Sequence, residues 1–370
     1  MTAPKLRFHG FLQDWTCSEL SHIAEINPKS GSLPQKFYYI DLESVVSGEL
    51  INALLISSTN APSRAQRVLV TGDVLFQTVR PYQKNNYHYT EKKEYHSVAS
   101  TGYAQLRTKL NESFLYQLLY TERFGYEVNI RCTGSSYPAI NSSDLGEITV
   151  NYPCREEQQK IAELFRLLDL RIKLQRRKVE LLKDYKKRLL NDIFSQSILC
   201  KNCINDWRLT SLGTILKIKH GKDQKKIESH LGKYPILGSG GIIGYTDTPL
   251  CNWACVLIGR KGTINKPYYM DTPFWTIDTL FYSEPIQENN PLFQYYLFQT
   301  VRWEKYSEAS GVPSLNSHTI ESIRVHIPTI PEQIIISKLF SSIDKNISAQ
   351  ENKLKQIKIF KAGLLQKMFI

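Results

Sequence analysis

Two polar loops carry side chains suited to hydrogen bonding with planar ligands and with phosphates. Arginine and asparagine can form paired hydrogen bonds with base edges, lysine serves phosphate better, and tyrosine beside basic residues can stack on bases. The first loop follows an apolar stretch ending at Phe76, and the second follows Val256–Leu257–Ile258 and is bracketed by Gly259 and Gly262. The candidate nucleic-acid contacts of these loops are Arg80, Tyr82, Lys84, Asn85, Arg260, Lys261 and Asn265.

Three further candidates lie in short turn-forming stretches. Ser136 and Tyr137 precede Pro138, and Ser239 belongs to the glycine-rich run Gly238–Ser239–Gly240–Gly241. This run lacks the lysine and hydroxyl of a phosphate-binding P-loop, so we interpret it as a strand-to-turn element that brings backbone close to DNA. The alternative for every one of these residues is an ordinary surface loop or a purely structural turn.

Catalytic and metal chemistry find little support in the sequence. No Walker A motif, zincin helix or nucleophile elbow is present, and the histidines are scattered. Seven cysteines, an odd number, argue against a disulfide framework. The pairs Cys200/Cys203 and Cys251/Cys255 could form a four-thiolate zinc site, but Cys255 sits in an apolar run where a small buried side chain is the simpler interpretation. We therefore predict neither an enzyme nor a metal site.

Composition sets the remaining bounds. The chain has 370 residues, which suits two domains with additional helix, and 42% hydrophobic residues supply folded cores. A net charge of +12 favours a polyanionic partner, either nucleic acid or an anionic membrane surface. The sequence has no apolar run of 18 residues and no apolar signal core near Met1, so we expect a soluble, cytoplasmic protein.

An internal repeat organises the chain. When the sequence is shifted by 175 positions, residues 138–195 align without a gap to residues 313–370 and share 20 identities in 58 positions. Upstream, Asp14–Trp15 matches Asp206–Trp207 at an offset of 192, and the intervening parts diverge. Each half therefore has a variable front part and a shared back part.

The shared parts predict two long helices, each with one apolar seam. Alternating steps of four and three give eight apolar residues in ten positions in both copies, with polar exceptions at the same two places, a glutamine and a lysine. We expect the two helices to pair antiparallel, with Gln175 and Gln350 fixing the register; the alternative is that each helix packs on its own globular domain. The predicted seam comprises Ile161, Phe165, Leu168, Ile172, Gln175, Val179, Leu182, Leu189, Ile193, Ile336, Phe340, Ile343, Ile347, Gln350, Leu354, Ile357, Leu364 and Met368.

Both shared segments are basic. Residues 154–197 carry 12 Lys/Arg against 7 Asp/Glu, and residues 328–370 carry 7 against 3, which together gives +9 of the net +12. Such a surface either keeps the helices solvated or lies near DNA phosphates or an acidic subunit.

The whole chain resembles the specificity subunit of type I restriction-modification systems. The resemblance rests on the two Pro…Glu–Gln…Ile helix entries (Pro153 and Pro328), on Asp73–Val74–Leu75–Phe76 with Val79–Arg80–Pro81–Tyr82, and on Leu257–Ile258–Gly259–Arg260–Lys261–Gly262. It implies an α+β protein in which two α/β target-recognition domains are separated by two long antiparallel coiled-coil helices, with a pseudo-twofold internal repeat. The implied segments are recognition domains at 1–152 and 201–327 and spacer helices at 153–200 and 328–370.

The resemblance also implies function and partners. Each recognition domain would read one half of a split, asymmetric site in double-stranded DNA, while the helices set the spacer and dock two modification (methyltransferase) subunits. S-adenosylmethionine, ATP and Mg²⁺ are expected on the modification and restriction subunits, none in this chain, and no membrane is implied. Two alternatives stay open: a coiled-coil scaffold that reads no DNA, and a fragment of a fused restriction–methyltransferase enzyme.

Overall fold

A computed structural model describes residues 3–91, 94–198, 207–229, 231–308 and 311–370. Backbone contacts divide the chain into two compact units, one formed by residues 1–176 with 352–370 and the other by residues 177–351. Two long helices contribute a segment to each unit. The division of the chain into four segments at residues 152, 200 and 327 stays a prediction.

The first unit is mostly short strands followed by helices. Its strands are β1 (Thr16–Glu19), β2 (Ala24–Ile26), β3 (Lys36–Ile40), β4 (Val45–Val46), β5 (Glu49–Leu50), β6 (Leu54–Ser57), β7 (Ala65–Val68), β8 (Val74–Gln77), β9 (Tyr87–His88), β10 (Ser97–Ser100), β11 (Tyr103–Thr108) and β12 (Thr149–Tyr152). Its helices are α1 (Leu20–Ile23), α2 (Glu112–Leu118), α3 (Glu122–Arg131), α4 (Ser142–Gly146) and the start of α5 (Arg155–Phe194).

Two four-stranded sheets form the body of this unit. One has the order β6-β3-β10-β7 with β3 and β10 parallel, and the other has the antiparallel order β2-β11-β8-β9. The second sheet packs on α2 and α3 through Phe76, whose ring meets that of Phe124 edge to face. Val74 and Phe76 belong to this core and Leu75 to a second core, so the strand Val74–Gln77 is covered on both faces and buried at every position.

The second unit repeats this plan with fewer elements. Its strands are β13 (Arg208–Ser211), β14 (Leu216–His220), β15 (Tyr234–Gly238), β16 (Gly241–Thr246), β17 (Cys255–Gly259), β18 (Tyr268–Met270), β19 (Trp275–Thr276), β20 (Leu280–Pro285) and β21 (Arg324–Ile327). Its helices are α6 (Pro291–Thr300), α7 (Ser317–Ser322) and the start of α8 (Ile330–Met368). The antiparallel sheet β14-β20-β17-β18 packs on α6, and β16-β15-β19 forms a smaller sheet.

The long helices begin at equivalent, well-defined corners. Near the start of α5, Gln158 is buried; its Oε1 accepts the Asn111 N–H at 2.9 Å and its Nε2 donates to the Pro153 carbonyl at 2.8 Å. In α8, Gln333 accepts the Asn290 N–H at 2.9 Å in the same way. Because Asn111 and Asn290 cap α2 and α6, one glutamine ties each long helix to the helix before it.

Each unit contains an antiparallel pairing of α5 with α8. In the first unit Phe165 lies near Phe369 and Asp169 near Lys361, so residue numbers rise along α5 as they fall along α8. In the second unit Lys183 pairs with Glu351, and Lys186 with Asp344. All eighteen seam residues are buried or half-buried, Gln175 among the buried ones, and Gln350 donates to Asn346.

The two alternatives for helix packing turn out to be compatible. Phe369, at the end of α8, packs on Trp15 and Phe114 of the first globular part, with ring centroids 6.1 and 5.2 Å away. Phe194, its repeat equivalent at the end of α5, packs on Trp207 and Phe293 at 5.9 and 5.4 Å. Each globular core therefore includes the start of one long helix and the end of the other. None of the helices in the described residues is apolar enough over 18 residues to span a membrane.

Candidate nucleic-acid interface

The loop after β8 is built on a buried amide framework. Gln77 donates from Nε2 to the Val79 carbonyl and to Gln83 Oε1, both at 2.8 Å, and its Oε1 accepts the Asn85 N–H at 3.1 Å. The Gln77 N–H in turn donates to Oδ1 of the buried Asn86 at 2.9 Å. These bonds fix the loop before any ligand arrives. Neither Gln77 nor Asn86 was among the predicted site residues, because their role depends on backbone groups that only folding brings within reach.

Arg80 is held by contacts from two directions. Its backbone has φ +54°, a left-handed conformation that is uncommon for arginine and is held here by a hydrogen bond from its N–H to the Pro138 carbonyl at 2.7 Å. The guanidinium lies 4.2 Å from the centroid of the Tyr137 ring, which is 66% exposed. Two predicted residues from distant parts of the sequence therefore form one cation–π pair at the surface.

The other predicted residues of this unit lie in the same two loop segments as that pair. Tyr82, Lys84 and Ser136 are exposed, and Lys84 shares the left-handed backbone of Arg80. Asn85 is half-buried, and its Oδ1 accepts the Ser47 N–H at 3.0 Å, so part of its hydrogen-bonding capacity holds the loop in place.

The second unit uses the same backbone framework for its loop. Gly262 has φ +80°, and its N–H donates to the Pro313 carbonyl at 2.9 Å, as Arg80 does to Pro138. Lys261 forms an isolated β-bridge with Ser314, equivalent to the β-bridge between Val79 and Ala139 in the first unit. Pro313 and Pro138 are equivalent in the internal repeat, so both halves anchor this loop on the same proline-containing segment.

These bonds also set the residue-by-residue correspondence of the two loops, which the sequence alone did not assign. The Arg260 carbonyl accepts the Leu315 N–H at 2.9 Å, just as the Thr78 carbonyl accepts the Ile140 N–H at 3.1 Å. Arg260 therefore occupies the position of Thr78, and Gly262 that of Arg80. The two halves share a framework and differ in which positions carry cations.

Glycine is required at the other end of this loop. A Cβ on Gly259 would lie 2.6 Å from the Thr263 carbonyl oxygen, too close for any side chain. The Thr263 hydroxyl donates to the Ser239 carbonyl at 3.2 Å, which joins the β15–β16 turn to the loop. The glycine-rich run forms the turn of the β15–β16 hairpin, and its closeness to DNA stays a prediction. Lys261 and Asn265 are exposed, with Asn265 donating to Glu304 Oε1 at 2.9 Å.

Only one of the two cysteine pairs considered as zinc ligands lies within the described residues. Cys251 and Cys255 are both buried, and their Sγ atoms lie 3.9 Å apart. Cys200 and Cys203 lie outside the described residues. Within the described ranges, no three His, Cys, Asp or Glu side chains are grouped so that they could hold a metal ion.

A comparison with known families decides where the chain belongs. The family described as Type I restriction modification DNA specificity domain matches residues 13–184 and 204–358, once for each repeat and over most of the chain. The chain belongs to this family. Membership accounts for both the doubled framework and the twofold occurrence of the helix entries.

Named relatives of this type I specificity family are distant in sequence. A type I specificity subunit of Mycoplasma pneumoniae is 25% identical over 249 residues, and the MjaIX specificity subunit of Methanocaldococcus jannaschii is 24% identical over 253 residues. These matches cover 63% and 61% of this chain, and they span 64% and 57% of the relatives' own length. A crystal structure of the S subunit of a type I system from M. genitalium has the same fold, with a TM-score of 0.64 at 17% identity and coverage of 100% and 99%.

Proposed function

We propose that this type I specificity-family chain is the non-catalytic DNA-reading subunit of its restriction-modification complex, with each unit reading one half of a bipartite, asymmetric target. The observation that carries the proposal is the pair of recognition loops. Each is anchored on the repeat-equivalent Pro138 or Pro313 carbonyl, yet they present different side chains. A shared frame with different contacts is what two unlike half-sites require.

In the first half-site we propose that Arg80 reads a guanine. Arginine bonds in bidentate fashion to O6 and N7 of guanine in the major groove, the commonest base-specific contact. The Tyr137 ring, the anchored backbone and the buried glutamine framework restrict the arginine before binding, which lowers the entropy lost on recognition. The Nε of Arg80 is buried without a protein partner among the described residues, so the bonding capacity of the guanidinium is not used up within the loop.

In the second half-site the candidate readers are Arg260, Lys261 and Ser239. The hydrogen bond from Thr263 to the Ser239 carbonyl brings the hairpin turn next to the loop. Position 262, which is the equivalent of Arg80, carries no side chain. We therefore infer that the two half-sites differ in sequence and that base contacts cannot be transferred from one half to the other.

The helix pair is the proposed dock for two modification subunits, which would supply S-adenosylmethionine and methylate adenine, while restriction subunits would supply ATP- and Mg²⁺-dependent cleavage. Along α5, Leu167, Leu174 and Leu181 are at least half exposed, a row suited to packing against another helix. Basic side chains flank this row, so the partner surface would be acidic.

The decisive experiment maps methylated adenines in the source genome with the gene intact, deleted, and carrying Arg80→Gly. Glycine is the residue at the equivalent position 262, and it tolerates the left-handed backbone, so the loop keeps its shape. We expect methylation to vanish on deletion, and the variant to relax discrimination at one guanine of one half-site by about 1–3 kcal/mol.

Arg260→Thr is the matched control, because it places the first half's Thr78 at the equivalent position of the second half. It should alter the other half-site only. Loss of methylation at all sites by a stably folded Arg80→Gly chain would contradict base reading by Arg80, and an unchanged methylome after deletion would contradict DNA reading altogether. A scaffold that reads no DNA also predicts no salt-dependent DNA binding by the assembled complex.

A further inference from the structure

An open basic cleft lies in the second unit, where the end of α6 meets β21. Its volume is about 360 Å³. Four of its lining residues are basic and exposed, and none is acidic. The lining comprises Phe194, Leu297, Thr300, Val301, Arg302, Lys305, Tyr306, Ile323, Arg324, Val325 and His326.

The cations of the cleft are available for a ligand. Among the described residues, Arg302, Lys305 and Arg324 form no ion pair. By contrast, Lys186 and Lys219 of the same unit each pair with a carboxylate. A group of cations without a protein counterion repels itself, and an anion in the cleft would relieve that repulsion.

The repeat shows that this charge is not a requirement of the fold. The equivalent surface of the first unit is lined by Leu118, Thr121, Arg123, Phe124, Glu127, Thr149, Val150, Asn151, Phe369 and Ile370, and its cavity measures only about 10 Å³. In the internal repeat Thr149 and Asn151 take the places of Arg324 and His326, and the lining of the first unit also holds an acidic residue, Glu127. The fold therefore does not require the two basic residues that β21 adds to the cleft of the second unit.

The cleft is connected to the recognition loop by a short segment. Glu304 lies between Arg302 and Lys305 in sequence and accepts a hydrogen bond from Asn265 at 2.9 Å. Two residues beyond Tyr306, the Glu308 N–H donates to the Ser314 carbonyl, beside the loop's anchor at Pro313. The cations therefore lie next to the elements that carry the candidate base contacts of this half-site.

We infer that this cleft binds backbone phosphates of DNA beside the second half-site, and that the first unit lacks the equivalent contact. The inference rests on the proposed function. Guanidinium groups suit phosphate oxygens because they donate two parallel hydrogen bonds, and Lys305 adds a further charge. The second half thus contributes more of the non-specific, salt-dependent part of binding, and the first half relies more on base contacts.

The test uses the complex purified with its modification subunits and a duplex containing the full target. In the variant Lys305→Tyr/Arg324→Thr/His326→Asn, the last two changes install the first unit's Thr149 and Asn151, and the first removes the lysine charge. The dependence of log K on log salt concentration has a slope of about −0.9 for each neutralised phosphate, so we expect the slope to become shallower by about 1–2. Affinity should fall about equally for target and unrelated DNA.

The control compares two single variants, Lys217→Thr and Arg324→Thr. Lys217→Thr removes one exposed cation of the same unit outside the cleft, so its salt dependence of DNA binding should stay steeper than that of Arg324→Thr. An unchanged slope in a triple variant with unchanged melting temperature would overturn the inference. The inference would also be overturned if the triple variant lost its modification subunits while the slope stayed unchanged. In that case the ligand of the cleft would be an acidic protein segment. Absence of salt-dependent DNA binding by the wild-type complex would instead contradict the proposed function itself.

Discussion

The ammonium of Lys186 lies 2.6 Å from Oδ1 of Asp344, and the internal repeat reproduces this ion pair with the roles of the helices exchanged. Adding 175 to Lys186 gives Lys361, and subtracting 175 from Asp344 gives Asp169; these two residues form the other pair. The lysines are mostly buried, at 14% and 15% exposure. The lysine breaks in the apolar seam are therefore interhelical ion-pair positions.

Asp344→Asn should lower the free energy of unfolding by about 1–2 kcal/mol, between the values for exposed and buried ion pairs. Asp344 also accepts a hydrogen bond from the Tyr296 hydroxyl at 2.9 Å. The pKa of Tyr296 is raised, mainly by burial and secondly by this hydrogen bond. Substitution thus weakens two contacts at once. Chemical denaturation measures the change, and a double-mutant cycle with Lys186→Met isolates the pair.

Glu351→Gln is the control for this prediction. Its partner Lys183 is 56% exposed, so breaking the Lys183–Glu351 pair should cost less than about 1 kcal/mol. Equal losses for Glu351→Gln and Asp344→Asn would mean that burial of the seam lysines adds nothing to the pairing.

Gln158→Leu should destabilise the first unit by about 2 kcal/mol, because it leaves the Asn111 N–H and the Pro153 carbonyl without a partner in a buried corner. The neighbouring Gln159 is exposed, and Gln159→Leu serves as the control, with a change within about 0.5 kcal/mol. Thermal unfolding followed by circular dichroism measures both. A similar loss of stability in Gln158→Leu and Gln159→Leu would show that the buried hydrogen bonds of Gln158 do not stabilise the start of α5.

His88 should make the first unit acid-sensitive. Burial lowers the pKa of His88, an effect only partly offset by Glu112, and its ring lies 5.9 Å from that of Tyr116. Because the folded state disfavours the proton, the contribution of His88 to stability is present above about pH 6.5 and is lost as the pH falls from there through the lowered pKa of the folded state. His88→Gln should therefore lose less stability than wild type between about pH 7.5 and 5.5.

Unfolding midpoints in urea across this pH range measure the effect. The control is His22→Gln, which removes an exposed histidine and leaves the Tyr116 contact intact. Identical pH profiles for wild type and His88→Gln would show that this buried imidazole does not control acid stability.

The exposed leucine row of α5 tests subunit docking. In α8 the repeat-equivalent positions carry Ser342, Ala349 and Gln356. Leu167→Ser/Leu174→Ala/Leu181→Gln transfers these residues to α5 without altering the seam, and it should weaken binding of one modification subunit at least tenfold, about 1.4 kcal/mol. Native mass spectrometry measures how many modification subunits each variant chain binds. Binding of two modification subunits by the variant, at concentrations where the wild-type chain is barely saturated, would contradict docking on this row.

Insertion of one heptad into each long helix tests whether the helices set the spacer of the target. Seven helical residues add about 10 Å, the length of about three base pairs. We expect both half-sites to be retained and the spacer to lengthen by that amount, read from the methylated motif. An unchanged spacer in a complex that still methylates DNA would exclude the helices as the ruler.

The sequence by itself determined the duplication, the two long helices and their apolar seams. These features are local: a period of 3.5 residues is visible within one helix, and a gapless offset of 175 needs no knowledge of the partner. Arg80 and Tyr137 were also named from the sequence as candidate contacts, and their binding to DNA stays a prediction.

Only the tertiary structure decided how those residues meet. Arg80 finds Tyr137 because its N–H donates to the Pro138 carbonyl, a bond between loops far apart in the sequence. The equivalent bond from the Gly262 N–H to the Pro313 carbonyl makes Gly262, not Arg260, the counterpart of Arg80. The partner of the Lys186 seam break, Asp344, lies on another helix. Such relations depend on which backbone and side-chain groups folding brings within hydrogen-bonding distance, and no local pattern in the chain records that.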